Sequence, residues 1–403
     1  MQALSSLINK HGNPDILIDS FNIKFKRYAI WGFHEVLEYN HKGLFLNNNL
    51  IDENWEIFLQ KTINRWKHEN KFNPIACAGF LSYEFKDQIY PHINFQHSVN
   101  KNFPYFWFCR PKLIEEYSLD LNEPNIDPKG NLKIKKDILN QSKYSDKINQ
   151  IKNYLKNGDV YQINFTDFKF FNSNTKNSFN LYQILRFLSK PEEGVFLKTE
   201  KFDILSCSPE SFLKVKDGII ETSPIKGTRP SISNREQDNK LKNDLKNSTK
   251  DKAEHLMIVD LLRNDLGKIC DIGSINIDKL YDIKTFKTIH HMITKISGKL
   301  KPTISEVDIF KALFPGGSIT GAPKESAMKI IDELESKSRN IYTGSFGYIT
   351  PNNDMSFNIC IRTLLKIHDQ YEYGIGGGIV WDSISEDEWF EAQQKSKILE
   401  PLL

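Results

Sequence analysis

Short runs of aromatic and β-branched residues alternate with polar, Asn-rich turns in the first part of the chain. Three such runs are Phe25 to Trp31, Ala76 to Tyr83 and Tyr105 to Cys109. Strands separated by turns have this pattern, and a few helices fit between them. We therefore predict an N-terminal α+β segment over residues 1–130.

Longer periodic elements follow in the rest of the chain. A stretch rich in Asn, Asp, Lys, Pro and Gly between Asp120 and Asp146 predicts a junction, after which residues 140–403 form the larger unit. Lys143 to Asn157 has the pattern of a helix that ends at Gly158, and Val160 to Phe171 alternates like a strand. The α+β class is therefore expected for the whole chain.

A second polar run, Ser231 to Lys250, is almost free of large apolar residues, and we expect an exposed, mobile segment there. Asp251 to Gly267 then predicts a largely buried helix with an acid at its start and a glycine at its end. At about 3.6 residues per turn, Asp251, Glu254 and Asp265 share one edge of this helix. That edge is either a solvated face or a set of carboxylates for chemistry.

Another candidate helix begins at Ser385-Glu-Asp-Glu388, which is a capping-box pattern, and places Glu388, Glu391 and Lys395 on one face. These glutamates fit a structural role as cap and ion pair. Two carboxylate-bearing helices in one fold also fit magnesium, because this ion prefers carboxylate oxygens and shares its coordination sphere with anionic substrates.

Two glycine-rich segments have the composition of ligand-binding turns. Phe314 to Lys324 precedes a helical pattern, so its N–H groups can meet a carboxylate, but it lacks the order of a nucleotide-binding P-loop. Gly374 to Ile379 lacks the dinucleotide fingerprint. Arg362, inside the predicted apolar strand Phe357 to Leu365, requires an anionic partner if it is buried. His291 is either a satisfied core residue or a catalytic one.

Composition narrows the class of protein. The 403 residues are 39% hydrophobic, enough for a sizeable core, and the net charge of +3 gives no electrostatic case for a nucleic-acid partner. Five scattered cysteines without a C-x-x-C pair argue against a disulfide framework or a zinc site, and no run is apolar enough to span a membrane. We expect a cytoplasmic globular protein with reduced cysteines and no membrane contact.

Seven separated motifs together resemble the chorismate-utilising enzymes, which comprise the first subunits of anthranilate and aminodeoxychorismate synthase and the isochorismate and salicylate synthases. The match covers roughly residues 143–397, and the N-terminal third resembles the family more weakly, chiefly at Gly79 to Glu84. The motifs are Gly158-Asp-Val-Tyr-Gln-Ile-Asn164, Ser208-Pro-Glu210, Pro224-Ile-Lys-Gly-Thr228, Ala253 to Asp265, the turn after Phe314, Tyr342-Thr-Gly344, and Ile361-Arg-Thr363 with Glu391 and Lys395. The resemblance implies an anthranilate synthase component I-like fold, with large antiparallel β-sheets packed in a sandwich and helices on the outside.

By this resemblance, Glu254 and Glu391 bind a magnesium ion that neutralises the ring carboxylate of chorismate, with Glu388 and Asp251 close by or acting through water. Glu210 matches the general acid that protonates the leaving C4 hydroxyl, a role that suits a carboxyl group kept protonated by a partly apolar site. The positions implied to bind the substrate are Arg362, Tyr342, Lys395, Gly376, Ser318, His291, Gln162 and Thr228.

Two positions separate the members of this family. In the isochorismate and salicylate synthases a lysine at the place of Gln162 activates water, and glutamine has no titratable group for that role. Anthranilate synthases usually carry alanine where this chain has Lys226, whereas aminodeoxychorismate synthases carry lysine. The resemblance thus implies that neutral Lys226 attacks C2 of chorismate while Glu210 acts as the acid, and that ammonia then enters at C4. A solvated loop lysine is the alternative.

The implied product is 4-amino-4-deoxychorismate, which leads to 4-aminobenzoate and folate through a separate lyase. None of the five cysteines lies in a Gly-x-Cys-x-Gly nucleophile elbow, and the chain has no room for a glutaminase domain. Ammonia is therefore expected from solution or from a separate glutamine amidotransferase subunit. The alternatives are anthranilate synthase component I and a non-catalytic sensor that binds chorismate or tryptophan.

Overall fold

The computed structural model describes residues 2–22, 24–97, 99–119, 132–173, 177–232, 234–285 and 289–403. The strands are β1 (Gln2–Ala3), β2 (Ile16–Asp19), β3 (Tyr28–Asn40), β4 (Gly43–Leu46), β5 (Asn49–Ile51), β6 (Cys77–Leu81), β7 (Phe106–Ser118), β8 (Leu132–Asp137), β9 (Gln162–Ser173), β10 (Glu193–Lys198), β11 (Phe202–Ser208), β12 (Ser211–Lys216), β13 (Ile219–Thr222), β14 (Ile225–Pro230), β15 (Asn276–Thr285), β16 (Ile289–Lys299), β17 (Gly321–Ala322), β18 (Ser345–Ile349), β19 (Met355–Asn358), β20 (Thr363–Ile367) and β21 (Gln370–Ile379).

The helices are distributed along the whole chain. They are α1 (Leu4–His11), α2 (Trp55–Glu69), α3 (Lys86–Ile89), α4 (Gln141–Asn157), α5 (Ser178–Ser189), α6 (Arg235–Asn247), α7 (Thr249–Ile269), α8 (Glu306–Leu313), α9 (Lys324–Leu334) and α10 (Ser385–Lys395), with short 3-10 turns at Tyr83–Phe85, Gly317–Ile319 and Lys397–Leu402.

The strands form one long ladder. Its order is β8-β9-β21-β20-β11-β10-β2-β3-β7-β6-β18-β19-β12-β13-β16, and every one of these pairings is antiparallel. β14 continues along the edge of β16 that β13 occupies, while β15 pairs with the other edge. The site residues of β9, β14 and β21 therefore belong to a single hydrogen-bonded framework.

The ladder folds back on itself, so that two of its parts face each other across the core. Phe80 of β6 packs edge-on against Phe202 of β11 with ring centroids 5.7 Å apart, although these strands are not neighbours in the ladder. The helices cover the outside: α4 buries only Tyr144, Ile148 and Ile151, which share one helix face. The predicted α+β class with antiparallel sheets in a sandwich is confirmed.

The N-terminal and C-terminal parts of the chain share this ladder. β6 pairs with β18 over the register Leu81↔Ser345 to Cys77↔Ile349, and β2 pairs with β10. The division at 1–130 and 140–403 stays a prediction, because residues 120–131 of the proposed junction lie outside the described residues. Among the helices described above, none is both long and apolar enough to cross a membrane.

Several local predictions are confirmed and others need correction. The helix predicted to stop at Gly158 does so, with φ of +79° at that glycine. The polar run after residue 231 is largely exposed, yet it forms α6, whose start is capped by the Asn234 side chain. Lys, Glu, Gln and Leu favour helices, so a cap and one buried residue, Leu245, suffice to order this segment.

Two predicted helix ends are wrong. α7 continues past Gly267 to Ile269, because the space around Gly267 is open and the helix stops only where Cys270 bridges to Leu300. The predicted capping box at the start of α10 is also absent: the N-cap position is Ile384, which has no side-chain cap. Ser383, just before the helix, supplies a hydrogen bond to Glu388 instead.

Candidate functional site

A cavity of about 200 Å³ lies between β9, β14, β21 and the glycine-rich turn before α9. Most of the predicted site residues line it. They are Lys226, Glu210, Thr228, His291, Ser318, Tyr342, Arg362, Gly376, Glu391 and Lys395. Gln162, Glu254, Glu388 and Asp251 lie outside this lining set. The structure thus brings together residues that are up to 185 positions apart in the chain, from Glu210 to Lys395.

Lys226 lies on β14 at an irregularity in its pairing with β16, where Gly227 has φ of +70°. This bulge turns the lysine side chain into the cavity instead of along the strand face. Burial lowers the pKa of Lys226, while the carboxylates of Glu254 and Glu210 act in the opposite direction. A lysine in this setting has an increased neutral fraction at a given pH, which is the form that acts as a nucleophile.

Glu210 faces the same cavity from the turn after β11. Its carboxyl group is buried, with only 6% of the residue exposed, and Ser318 donates a hydrogen bond of 2.7 Å to it. Burial raises the pKa of Glu210, and the hydrogen bond from Ser318 opposes this rise. A carboxyl group with a raised pKa retains its proton to higher pH and can serve as a general acid.

Glycines of β21 make room for these side chains. A β-carbon at Gly378 would lie 2.8 Å from Lys226 Nζ and 3.0 Å from Gln162 Nε2, so both side chains end beside this glycine. Gln162 is fully buried, and its amide has no hydrogen-bond partner among the described residues. A β-carbon at Gly374 would lie 2.3 Å from the Tyr342 ring. The glycine-rich strand is therefore required by close packing of the site.

Arg362 does not lie inside a strand, which corrects the sequence prediction. It occupies the break between β19 and β20 with φ of +51°, and this turn directs the residue to the cavity wall. No carboxylate pairs with its guanidinium group among the residues that the structure describes. Thr228 and His291 Nδ1 are 3.0 Å apart on the adjoining wall. Burial, and after it the charge of Arg362, lowers the pKa of His291 to about 4, so this histidine is neutral near pH 7.

Lys395 has partners within the protein. Its Nζ donates 2.6 Å to the carbonyl oxygen of Gly376 and lies 2.8 Å from a carboxylate oxygen of Glu391. The charge of Lys395 lowers the pKa of Glu391. The amine thus lies at the cavity wall, fixed between the backbone of β21 and the side chain of α10.

The four predicted metal ligands do not form a ready-made cluster. Within the described ranges, no three His, Cys, Asp or Glu side chains are close enough together to hold a metal ion. Asp251 pairs with Arg229 at 3.1 Å, and Glu388 accepts 2.6 Å from Ser383. Glu254 has no hydrogen-bond or ion-pair partner in the described part of the chain, and burial raises its pKa.

The donor set nevertheless fits magnesium in its chemistry. Glu254, Glu388 and Glu391 supply carboxylate oxygens. Burial, and after it the charges of Asp251 and Glu388, raises the pKa of Glu254 against the opposing charges of Lys226 and Lys250, as expected where carboxylates lie near one another. Magnesium usually takes one or two protein carboxylates together with an anionic substrate, so a closed protein cage is not required.

Asp265 is absent from this carboxylate edge. Its side chain is buried and pairs with Lys324 Nζ at 2.6 Å, and with Lys268 at 2.8 Å. Sequence spacing places Asp265 correctly on the helix, but the direction of its partner at the start of α9 could not be predicted. Sequence analysis also missed Arg339, whose buried guanidinium group lies directly behind the cavity; the only signal was its place three residues before Tyr342.

Comparison with known proteins identifies the family and the fold of this chain. Residues 14–401 match the family model described as chorismate binding enzyme. Aminodeoxychorismate synthase component 1 of Escherichia coli (strain K12) is 40% identical over 265 residues, which are 66% of this chain and 58% of that protein. An anthranilate synthase component I-like protein of Synechocystis sp. is 40% identical over 260 residues, 64% of this chain and 54% of that protein.

The matched region spans just over half the length of these curated relatives. Among solved structures, anthranilate synthase component I from Streptococcus pneumoniae TIGR4 has a TM-score of 0.79 at 25% identity, covering 92% of this chain and 91% of that chain. The predicted anthranilate synthase component I-like fold is therefore confirmed. With the family model matching nearly its full length, the chain belongs to the chorismate binding enzyme family.

Proposed function

We propose that this protein is the first component of an aminodeoxychorismate synthase, which converts chorismate and ammonia to 4-amino-4-deoxychorismate. The observation that carries the proposal is the position of Lys226, whose amine ends inside the cavity with a lowered pKa. A solvated loop lysine would have neither property. Relatives that bear the name aminodeoxychorismate synthase component 1 support the same choice.

The covalent step uses two groups that line the cavity, Lys226 and Glu210. Neutral Lys226 attacks C2 of chorismate, a C–N bond forms, both ring double bonds shift and the C4–O bond breaks. Glu210 gives its proton to the departing hydroxyl group, which leaves as water. Ammonia then attacks C4, both double bonds shift back, the amine of Lys226 is expelled from C2, and the new ammonium group returns a proton to Glu210. The enolpyruvyl group is retained throughout.

The substrate's carboxylates have complementary partners. Arg362, which lacks an ion-pair partner in the described residues, is available for one carboxylate of chorismate. Glu254 and Glu391, with Glu388, would hold a magnesium ion, which would supply positive charge to neutralise the other carboxylate. Gln162 lies beside Lys226 and offers an amide in place of a base, which disfavours the activation of water.

Ammonia is supplied by a separate glutamine amidotransferase subunit. All five cysteines of the chain are buried, and burial raises the pKa of Cys207, for example, to about 12, which leaves these groups as inert thiols near neutral pH. None can act as the nucleophile that hydrolyses glutamine. We place the enzyme in the cytoplasm, where thiols stay reduced.

Product identification tests this function. The purified protein is incubated with chorismate, magnesium chloride and an ammonium salt, and the products are separated and identified by mass spectrometry. The expected product retains the enolpyruvyl group and becomes 4-aminobenzoate only after a lyase is added. Direct formation of fluorescent anthranilate without a lyase would instead identify anthranilate synthase component I, and the absence of any turnover despite chorismate binding would favour the sensor.

A further inference from the structure

We propose that Arg339 is a positioning residue that fixes three walls of the cavity, and that Glu84, from the N-terminal segment, holds Arg339 in place. Neither residue lines the cavity. The inference rests on the proposed function only in its choice of chorismate as the ligand.

Arg339 is 1% exposed and uses every N–H of its guanidinium group. Nη2 donates a hydrogen bond of 2.7 Å to the carbonyl oxygen of Asn164. Nη1 donates one of 3.0 Å to the carbonyl oxygen of Ile319 and one of 3.2 Å to the hydroxyl oxygen of Thr343. The remaining donors, Nε and the second hydrogen of Nη2, bind Glu335 at 2.9 and 2.6 Å. One side chain thus joins β9, the glycine-rich turn and the turn before β18.

These three segments each contribute to the cavity wall. Asn164 and Ile319 line it directly, as does Tyr342, whose N–H donates 3.0 Å to the Arg339 carbonyl oxygen. Ile319 follows Ser318, the hydrogen-bond donor to Glu210. A shift of Arg339 would therefore move groups in three parts of the cavity wall.

Glu84 anchors this arginine through the main chain. One carboxylate oxygen accepts 2.6 Å from the N–H of Arg339 and the other accepts 2.8 Å from the N–H of Asn340. The preceding residue, Tyr83, donates 2.8 Å from its N–H to the Asn340 carbonyl oxygen, and its ring centroid lies 4.4 Å from the Arg339 guanidinium carbon. A buried carboxylate that satisfies two consecutive N–H groups fixes the path of this turn.

The matched control is Asp19, another buried carboxylate of the N-terminal segment. It accepts hydrogen bonds from Arg186 at 2.6 Å and from Tyr117 at 2.8 Å, and it lies away from the cavity lining. Glu84→Gln and Asp19→Asn therefore each replace a buried carboxyl group by an amide. A purely structural role for Glu84 predicts the same consequences for both variants.

The test measures the Kd of chorismate for the full chain in the presence of magnesium, together with urea unfolding. We expect Glu84→Gln and Arg339→Lys to weaken binding by at least about tenfold at a temperature where both are folded, and Asp19→Asn to leave the Kd unchanged. Unchanged binding by Glu84→Gln, or equal weakening by Asp19→Asn, would overturn the proposal.

Amide hydrogen exchange supplies a readout that needs no ligand. Residues 162–166 and 316–322 should exchange faster in Glu84→Gln than in the wild type, whereas Asp19→Asn should leave both segments unchanged. Failure of the wild type to bind chorismate would contradict the proposed function. Hydrogen exchange would still test whether Glu84 and Arg339 position these segments. Exchange rates in Glu84→Gln identical to wild type would contradict that role.

Discussion

The amine of Lys226 lies so close to Gly378 that it leaves no room for a side chain at that position: a β-carbon at position 378 would lie 2.8 Å from the lysine Nζ. Carbon and nitrogen atoms in contact require about 3.5 Å, so the amine can occupy its place only beside a glycine. The position of the proposed nucleophile thus depends on a residue of the neighbouring wall, β21, as well as on the β14 bulge.

Gly378→Ala should preserve the fold and impair catalysis. The clash falls on the flexible end of a lysine, which can move aside at small cost, but the displaced amine no longer reaches C2 of chorismate. A misplacement of about 1 Å costs roughly a hundredfold in rate, and we expect kcat to fall by about that factor. Steady-state kinetics with ammonium as the nitrogen source measure it.

Gly267→Ala is the matched control for this substitution. Gly267 lies within α7, and apart from the local helix backbone no atom of the described residues is within 4 Å of its added β-carbon. Replacing a helical glycine by alanine stabilises the fold by about 0.5–1 kcal/mol and should leave kcat unchanged. Equal kinetics for both variants would contradict the packing relationship between Gly378 and Lys226.

Ser318→Ala should shift the pH profile of kcat/KM. The serine hydrogen bond stabilises the ionised form of Glu210, so its removal raises the Glu210 pKa further. Because Glu210 acts in its protonated form, activity is lost as pH rises through this pKa. The alkaline limb that belongs to Glu210 should therefore move up by about one pH unit, the equivalent of one charged hydrogen bond.

The control for the pH profile is Ser345→Ala. Ser345 is a buried serine that donates 2.6 Å to the Asn358 carbonyl oxygen and does not line the cavity. Its substitution should lower stability and leave the alkaline limb in place. An unmoved limb in Ser318→Ala, or a shift to lower pH, would remove Glu210 from the role of general acid.

Lys324→Met should destabilise the protein without touching the cavity lining. The side chains of Lys324 and Asp265 are 7% and 2% exposed, and the loss of Lys324 leaves the buried Asp265 with Lys268 as its ion-pair partner among the described residues. Removing one member of a buried pair costs about 3–5 kcal/mol, to be measured by urea unfolding. Lys329→Met, at an exposed position of the same helix, should change stability by less than about 0.5 kcal/mol. Similar values for the two variants would contradict this account.

Glu254→Gln should raise the magnesium concentration needed for half-maximal activity by about tenfold or more, because an amide is a weaker ligand than a carboxylate. Asp260→Asn, at an exposed position of the same helix, is the control and should leave the magnesium dependence unchanged. A wild-type magnesium dependence in Glu254→Gln would exclude this residue from the metal site.

Sequence patterns predicted the fold where each signal was local. The helix before Gly158 carries its own stop signal, and the strand predicted from Val160 to Phe171 forms as β9. The alternating faces predicted for it are wrong, because β9 is buried along most of its length. α6 was harder to predict because its single buried residue, Leu245, contacts Gly227, which is distant in sequence. The resemblance to a family identified most of the cavity residues, because the family's motifs contain residues that lie together at the cavity in the structure.

Other features depend on tertiary contacts that spacing does not encode. Asp265 lies on the predicted helix edge, but its side chain is buried in an ion pair with Lys324 and does not join the other carboxylates. Arg362 reaches the cavity through a left-handed turn between strands, although its apolar neighbours favoured a continuous strand. Arg339 gave almost no signal, because its role comes from backbone carbonyl groups of two distant segments.

The central claim is that Lys226 is a covalent nucleophile. Its most direct test is to identify and quantify, by mass spectrometry, the product that Lys226→Ala and the wild type each form from chorismate and ammonium in the presence of magnesium. Lys240→Ala, which removes an exposed lysine of α6, is the control and should behave as wild type. We predict that Lys226→Ala loses 4-amino-4-deoxychorismate formation by about three orders of magnitude or more, as expected for a covalent nucleophile. The same product at the wild-type rate would contradict a covalent role for Lys226.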